Sequence, residues 1–160
     1  MKVGFIGLGT MGGSMAYNTL QGGHDLVVHD IRRESATPHL EAGAAWADTP
    51  RQVAESSDVV FTSLPGPTEV EAVFLGDDGL LQGLSAGKVY FDLSTSTPNL
   101  IRRLHDIAAG QGIQVLDAPV SGGPSGARTR NLAIAATGRC STVARTFWML
   151  SATKPTTLER

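Results

Sequence analysis

Three glycines near the amino terminus have the spacing of a phosphate-binding turn. Gly7, Gly9 and Gly12 form a G-x-G-x-x-G motif between a short apolar run, residues 3–6, and a helix-like pattern. In this context the first glycine allows a tight turn, the second lets the backbone approach a pyrophosphate, and the third lets the helix pack closely on the strand. The helix amino terminus then offers N–H donors to phosphate groups. The motif predicts a dinucleotide site at Gly7, Leu8, Gly9, Thr10, Met11 and Gly12.

An acidic residue follows the next predicted strand. Residues 26–29 have strand composition, and Asp30 comes after them, about 20 residues beyond the glycine motif. A carboxylate at this place can accept hydrogen bonds from an adenosine ribose and would repel a 2′-phosphate, although a helix-capping role is an alternative. Arg32 and Arg33 could bind a 2′-phosphate, whereas Ile31, directly after the acid, supplies no cation. The pattern favours NAD as cofactor and leaves NADP open.

The chain alternates short apolar runs with helix-like segments, which is typical of a doubly wound α/β fold. Further strands are predicted at residues 44–47, 58–64, 88–93, 113–116 and 132–137. Helices are predicted at residues 10–21, 32–42, 50–57, 68–75 and 98–109, and from residue 141 onward. We therefore expect one α/β domain of Rossmann type with a mainly parallel sheet over residues 1–160, in which residues 151–160 form a truncated tail.

Loops that leave the carboxyl ends of parallel strands form the ligand crevice of such sheets. Leu64 and Pro65 follow one predicted strand, with a purely structural turn as the alternative, and Thr95 carries a free hydroxyl after another. A third loop combines exposed backbone N–H groups with a hydroxyl, which suits a carboxylate. It consists of Ser121, Gly122 and Gly123.

Length and composition limit the classes of function. The 160 residues suit one domain, and a net charge of −2 with mixed signs does not favour nucleic-acid binding. The single cysteine, Cys140, cannot form an internal disulfide, and no apolar run approaches the roughly 20 residues of a membrane span. Asp77 and Asp78 are adjacent but lack further ligand spacing, so no metal is predicted. We expect a cytoplasmic protein without a membrane segment.

A recognisable pattern is carried by four stretches, which read GFIGLGTMG at residues 4–12, GH at 23–24, DLST at 92–95 and LDAPVSGG at 116–123. Together they resemble the β-hydroxyacid dehydrogenase family, which includes 3-hydroxyisobutyrate dehydrogenase, tartronate semialdehyde reductase and 6-phosphogluconate dehydrogenase. The resemblance implies that the positions of Leu64, Pro65 and Thr95 contact the dinucleotide and that the Ser-Gly-Gly loop holds a substrate carboxylate. The acid at position 30 looks more like the NAD-using members than the NADP-using members.

Two departures from the family pattern affect the implied activity. Family members carry a catalytic lysine and a nearby asparagine on a long helix after the nucleotide domain, followed by an all-helical domain. This chain has Lys2, Lys88 and Lys154, none in a matching motif. The resemblance therefore implies an N-terminal NAD(P)-binding domain that lacks the all-α domain, with no catalytic residue in this chain and the family lysine beyond Arg160. Arg130 also stands where glycine is usual, and a left-handed backbone there would cost about 1–2 kcal/mol.

Two hypotheses follow. In the first, the chain is the shortened cofactor domain of an NAD(P)-dependent 3-hydroxyacid dehydrogenase or semialdehyde reductase and is inactive alone. In the second, it is a complete non-catalytic module that binds a nucleotide and acts through a partner. Residues 152–160 resemble the start of another strand, which favours the first. An apolar face that the helical domain would cover is then expected to promote self-association into a homo-oligomer.

Overall fold

The computed structural model of the chain describes residues 1–134. Within this range a six-stranded parallel sheet is built from β1 (Lys2–Ile6), β2 (Asp25–His29), β3 (Ala45–Trp46), β4 (Val59–Thr62), β5 (Val89–Asp92) and β6 (Gln114–Asp117). The strand order is β3-β2-β1-β4-β5-β6. This is the doubly wound order of a Rossmann fold, so the predicted fold class is confirmed.

Helices connect the strands, as right-handed crossovers between parallel strands require. They are α1 (Gly12–Gln21), a 3-10 helix (Arg33–Ala36), α2 (Thr37–Glu41), α3 (Pro50–Glu55), α4 (Pro67–Leu75), α5 (Leu80–Gly83), α6 (Pro98–Ala109) and α7 (Gly123–Thr129). Thr49 and Thr97 cap α3 and α6 through their side-chain oxygens, and proline occupies the first turn of both helices. These helix starts match the sequence prediction because a hydroxyl cap followed by proline is a local signal.

The sheet has an apolar core on each face. Alternate residues of a strand point to opposite faces, so Phe5, Phe61 and Phe91 enter one core while Val60 and Tyr90 enter the other. The three phenylalanine rings stack across β1, β4 and β5, with centroid distances of 5.9 and 5.2 Å. Burial on both faces explains why these strands are continuously apolar in sequence.

The region after β6 differs from the prediction. Residues 120–123 are not an open loop, because β7 (Val120–Ser121) pairs antiparallel with β8 (Ala133–Ile134) and α7 begins at Gly123. The strand predicted at residues 132–137 is β8 within the described range, and it lies outside the parallel sheet. The predicted helix from residue 141, Cys140 and the predicted tail lie outside the described residues.

Two helical segments also differ from the sequence prediction. The helix predicted at residues 32–42 is divided into the 3-10 helix and α2, because Pro38 lies in the first turn of α2 and has no N–H to continue a preceding helix. The short α5 has only four residues and was not predicted. None of the helices within residues 1–134 has the length and apolar character required to cross a bilayer.

Candidate functional site

A cleft of about 670 Å³ lies at the carboxyl edge of the sheet, where β1, β2 and β4 end. The strand order reverses between β1 and β4, and this topological switch point is where open α/β sheets bind ligands. Most of the residues predicted to contact a dinucleotide line this cleft together. They are Gly7, Gly9, Thr10, Met11, Gly12, Asp30, Leu64 and Pro65.

The three glycines of the turn have different structural roles. Gly7 has a φ of 90°, and a Cβ there would overlap the backbone oxygen of Ser63. A Cβ on Gly12 would overlap the carbonyl oxygen of Gly7, so the close contact of α1 with the turn requires glycine at both positions. Gly9 is exposed, and a Cβ there would meet no protein atom within 4 Å. The protein's own packing therefore requires the first and third glycines, while the side-chain position of the second, which lines the cleft, is open space.

The Asp30 carboxylate connects the end of β2 to the glycine turn. Its Oδ2 accepts a hydrogen bond from the Leu8 N–H at 2.7 Å, and its Oδ1 accepts one from the Arg32 N–H at 2.8 Å. The N-cap position of the following 3-10 helix belongs to Arg32 and not to Asp30. Each carboxylate oxygen can accept more than one hydrogen bond, so both retain capacity for ligand hydroxyls. The Leu8 side chain is buried in the core, so its link to the site is through the backbone.

The wall formed by Leu64 and Pro65 is held by a buried hydroxyl. The Leu64 N–H donates to Ser94 Oγ at 2.9 Å, and the Ser94 N–H donates to Asp92 Oδ1 at 3.0 Å. Ser94 is therefore a positioning residue. The sequence did not predict this role, because only ligand contacts were expected from the loop after β5. Thr95 is exposed directly after Ser94, and it does not line the cleft.

The residues predicted to hold a substrate carboxylate are not among those that line the cleft. Ser121, Gly122 and Gly123 are exposed at the turn between β7 and α7. Gly122 and Gly123 have φ values of 134° and 60°, which favour glycine at both positions.

Several cleft residues were not predicted from the sequence. Ile31 lines the cleft with 96% of its surface accessible, although it is a large apolar residue. The signal that would have found it is its position directly after the acid, in a loop at the carboxyl end of a strand, because such loops border the ligand crevice. The other lining residues that were not predicted are Ile6, His29, Ser63, Glu69, Ala72 and Val73, whereas Arg32, a sequence candidate for contact with a 2′-phosphate, does line the cleft.

A buried polar network supports the sheet edge next to the cleft. Thr62 Oγ1 donates to Asp92 Oδ1 at 2.9 Å, so the Tyr90 hydroxyl, 2.8 Å from Thr62 Oγ1, must donate to it. Burial, and secondly the negative charge of Asp92, raise the pKa of Tyr90 well above its ordinary value. Burial and then Asp92, its neighbour in register, likewise raise the pKa of Asp117. The network links the core to the cleft wall through Ser94.

No group of three or more His, Cys, Asp or Glu side chains that could hold a metal ion occurs within residues 1–134. The cleft lining instead combines two carboxylates, of Asp30 and Glu69, with the amino end of α1. Met11, the N-cap residue of α1, makes no side-chain capping hydrogen bond. First-turn N–H groups and the positive end of the helix dipole suit an anionic ligand such as a pyrophosphate.

The fold and this cleft define the class of a Rossmann-type dinucleotide-binding domain. Residues 2–155 match the family described as the NAD binding domain of 6-phosphogluconate dehydrogenase. The chain belongs to this family, which confirms the resemblance drawn from the motifs.

Similar proteins include oxidoreductases that use small hydroxy acids. A 3-hydroxyisobutyrate dehydrogenase of Pseudomonas aeruginosa is 41% identical over 143 residues, which cover 89% of this chain and 48% of that protein. An NAD-dependent L-serine dehydrogenase of the same organism is 40% identical over 131 residues, covering 82% of this chain and 44% of that one. The solved structure of Psf3 in complex with NADP+ and 2-OPP has a TM-score of 0.89 and 32% identity, covering 96% of this chain and 55% of Psf3. The chain thus spans about half the length of the relatives it matches.

Proposed function

We propose that the chain is the cofactor-binding part of an NAD(P)-dependent oxidoreductase that transfers hydride between the nicotinamide and a small 3-hydroxy acid or semialdehyde. The observation that carries the proposal is the open space over Gly9, at the amino end of α1, inside a switch-point cleft. A residue whose side-chain position is empty, between two glycines that packing requires, leaves room for a ligand to approach the backbone. The family assignment and the 3-hydroxyisobutyrate dehydrogenase relative support the reaction class.

In the proposed binding mode the pyrophosphate lies over Gly9 and Thr10 and accepts hydrogen bonds from the first turn of α1. Asp30 accepts hydrogen bonds from the adenosine ribose, and the exposed Ile31 side chain covers one face of the adenine, which removes apolar surface from water. Leu64 and Pro65 form the opposite wall. A carboxylate next to the ribose disfavours a 2′-phosphate, so we propose NAD as the better cofactor.

The remaining predicted contacts are proposals of the same kind. Thr95, which directly follows the Ser94 hydroxyl that holds the cleft wall, would contact the nicotinamide end of the cofactor. Ser121, Gly122 and Gly123 would bind the substrate carboxylate through a hydroxyl and backbone N–H groups. Oxidation of a hydroxy acid further requires a group that takes the hydroxyl proton.

The described lysines are poorly placed to take that proton. Lys2 begins β1, and the Lys88 Nζ donates to the carbonyl oxygens of Ala54 at 2.6 Å and Glu55 at 3.2 Å. Both lysines lie at the amino edge of the sheet, opposite the cleft, while Lys154 lies outside the described residues. We propose that the catalytic lysine of the family is supplied by sequence beyond Arg160 and that the 160-residue chain binds cofactor without turnover.

Parallel calorimetric titrations of the chain with NADH and NADPH test the binding proposal. We expect saturable NADH binding that is tighter than NADPH binding. Gly9→Ala is the matched variant, because its methyl group meets no protein atom yet lies in the space assigned to the pyrophosphate. It should keep the melting temperature and weaken NADH binding by about tenfold or more, the effect of losing a charge-assisted contact. Folded wild-type protein that binds neither nucleotide, or a Gly9→Ala variant that binds NADH normally, contradicts the proposal.

The catalytic proposal has its own test. The chain should show no NAD reduction with 3-hydroxyisobutyrate or L-serine, and a coding sequence that continues beyond Arg160 with a Lys-x-x-x-Asn helix should restore turnover. Turnover by the chain alone would contradict the assignment of the base to a missing segment. A gene that ends at Arg160 would instead favour the non-catalytic nucleotide-binding module. Self-association through an apolar face stays a prediction, and light scattering at high protein concentration tests it.

A further inference from the structure

The two arginines that follow the cleft acid have different surroundings. Arg32 lines the cleft, and its N–H is bonded to Asp30. Arg33 is not among the lining residues, and its guanidinium lies over the Trp46 ring, 5.1 Å from the ring centre. The same guanidinium is 3.6 Å from Asp48 Oδ1. Arg33 is therefore directed toward β3 and the turn that follows it.

Trp46 and Asp48 form one platform for this guanidinium. The Trp46 Nε1–H donates to Asp48 Oδ1 at 2.7 Å, so the indole and the carboxylate are fixed relative to each other. The Asp48 N–H in turn donates to Gln52 Oε1 at 2.8 Å, which anchors the turn to α3. The aromatic face and the carboxylate bind the same cation from two directions, as cation–π and ionic contacts allow.

The other side of the platform is fixed to β2. Trp46 pairs in register with Val28, and its ring packs against the His29 ring with a centroid distance of 5.5 Å. The His29 Nδ1 lies 2.9 Å from the Ala47 carbonyl oxygen; because a carbonyl only accepts, this nitrogen carries the proton. The position of the indole is thus set by the strand pair and not by Arg33.

We infer that Trp46 and Asp48 are specificity-determining residues that withhold Arg33 from a 2′-phosphate on the adenosine ribose. The inference rests on the proposed dinucleotide function. A guanidinium two or three residues after the ribose-binding acid is the group that would otherwise neutralise the phosphate. Here a bound 2′-phosphate must compete with Asp48 and the indole for Arg33 and is repelled by Asp30. Arg32 remains in the cleft lining, so discrimination against NADP comes from repulsion at Asp30 and from the loss of the second guanidinium, that of Arg33.

The size of the effect follows from the exposure of these groups. The Arg33 and Asp48 side chains are 68% and 73% accessible, so solvent screens their attraction. Exposed ion pairs and cation–π contacts change binding constants by only about two- to fivefold. Release of Arg33 should therefore shift the ratio of NADPH to NADH affinity without inverting it, because the Asp30 carboxylate remains.

Asp48→Asn is the variant that tests the inference. The amide oxygen can still accept the Trp46 indole N–H, while the charge that attracts Arg33 is removed. We expect the dissociation constant for NADPH to fall about two- to fivefold in calorimetric titrations, with NADH binding unchanged. The pair 2′,5′-ADP and 5′-ADP should show the same difference, since these probes differ only by the 2′-phosphate.

Two further variants separate release of Arg33 from a general change in charge. Glu34→Gln removes one negative charge from the residue directly after Arg33. It should change NADPH affinity less than Asp48→Asn does. In the double variant Arg33→Gln/Asp48→Asn the gain in NADPH affinity should disappear. Wild-type protein that binds neither nucleotide refutes the proposed function itself. If the wild-type protein binds NADH, three results refute the role of Trp46 and Asp48 but not the proposed function. They are no gain in NADPH affinity in Asp48→Asn, an equal gain in Glu34→Gln, and a gain that persists in the double variant.

Discussion

The backbone N–H of Leu8 donates to the Asp30 carboxylate at 2.7 Å, so the residue that closes β2 also fixes the conformation of the glycine turn. Leu8 and Asp30 are 22 positions apart in sequence and meet at the switch point of the sheet. In the proposed binding mode one carboxylate then serves both the turn that holds the pyrophosphate and the ribose beside it. A substitution at Asp30 can distinguish its role in the glycine turn from its role at the ribose.

Asp30→Asn should weaken NADH binding about tenfold, because a charged hydrogen-bond acceptor at the ribose is replaced by a neutral one. NADPH binding should weaken less, since the repulsion of the 2′-phosphate is removed at the same time. Titration calorimetry of both nucleotides measures the change, and Asp25→Asn, at the exposed start of β2, is the control. An equal loss for both nucleotides would show that Asp30 acts only through the glycine turn.

Gly12→Ala should lower the free energy of unfolding by about 1–3 kcal/mol, the usual cost of overpacking. The added methyl group would overlap the Gly7 carbonyl oxygen, and backbone must move to accommodate it. Gly9→Ala should change stability by less than about 0.5 kcal/mol, as is usual for an uncrowded surface site. Urea denaturation of the two variants gives the comparison, and equal destabilisation would contradict the assignment of different roles to these glycines.

Asp117→Asn should stabilise the protein at neutral pH and have little effect in acid. Burial and the Asp92 charge raise the pKa of Asp117 above its ordinary value of 3.8, so the folded state binds this proton more tightly than the unfolded state. The contribution of Asp117 to the free energy of unfolding therefore falls as pH rises from its ordinary pKa through the raised one. Thermal melts of the wild type and the variant across this pH range measure the difference.

The control for this experiment is Asp77→Asn, which removes an exposed carboxylate from the loop before α5. It should not reproduce the pH-dependent difference. A constant stability difference between Asp117→Asn and the wild type at all pH values would contradict the role assigned to the Asp117 charge.

Arg130→Ala should lower the free energy of unfolding by about 1–2 kcal/mol, while Arg130→Gly should lower it by about 1 kcal/mol less. Arg130 has a φ of 59°, the left-handed backbone conformation that is costly for a residue other than glycine. Its guanidinium donates to the Asn18 carbonyl at 2.6 Å, which offsets the backbone cost. Both variants lose this bond, but only glycine relieves the left-handed strain. Arg128→Ala, in the last turn of α7, is the control for urea denaturation.

The features that the sequence predicts well are those with a local or periodic cause. Buried parallel strands are continuous apolar runs, and the starts of α3 and α6 are signalled by Thr49 and Thr97, each followed by proline. The glycine turn and Asp30 are likewise found from their spacing. Because the loops at the carboxyl ends of parallel strands form the ligand crevice of an open sheet, a cleft at this edge could be predicted as well.

The features that were not predicted depend on contacts between distant segments. The pairing of β7 with β8 requires a partner that the local pattern of residues 120–123 does not indicate. The bond from Leu64 to Ser94 joins two loops that meet only after β4 and β5 pair. The orientation of Arg33 depends on Trp46 and Asp48, which the spacing of charges after β2 cannot show. Side-chain partners of this kind require the tertiary structure.

The contacts of Asn18 have a consequence for motion. Its side-chain Nδ2 donates to the Ala127 carbonyl oxygen at 2.7 Å, and its backbone carbonyl oxygen accepts a hydrogen bond from the Arg130 guanidinium. The helices α1 and α7 are therefore joined at two points. Local opening of α7 must break both bonds, and ordering of α1 must restrain α7. A nucleotide that slows amide hydrogen exchange at the start of α1 should therefore also slow it across residues 123–129. Cofactor binding at α1 would then also restrict the motion of the turn at residues 121–123, because two hydrogen bonds connect α1 to α7.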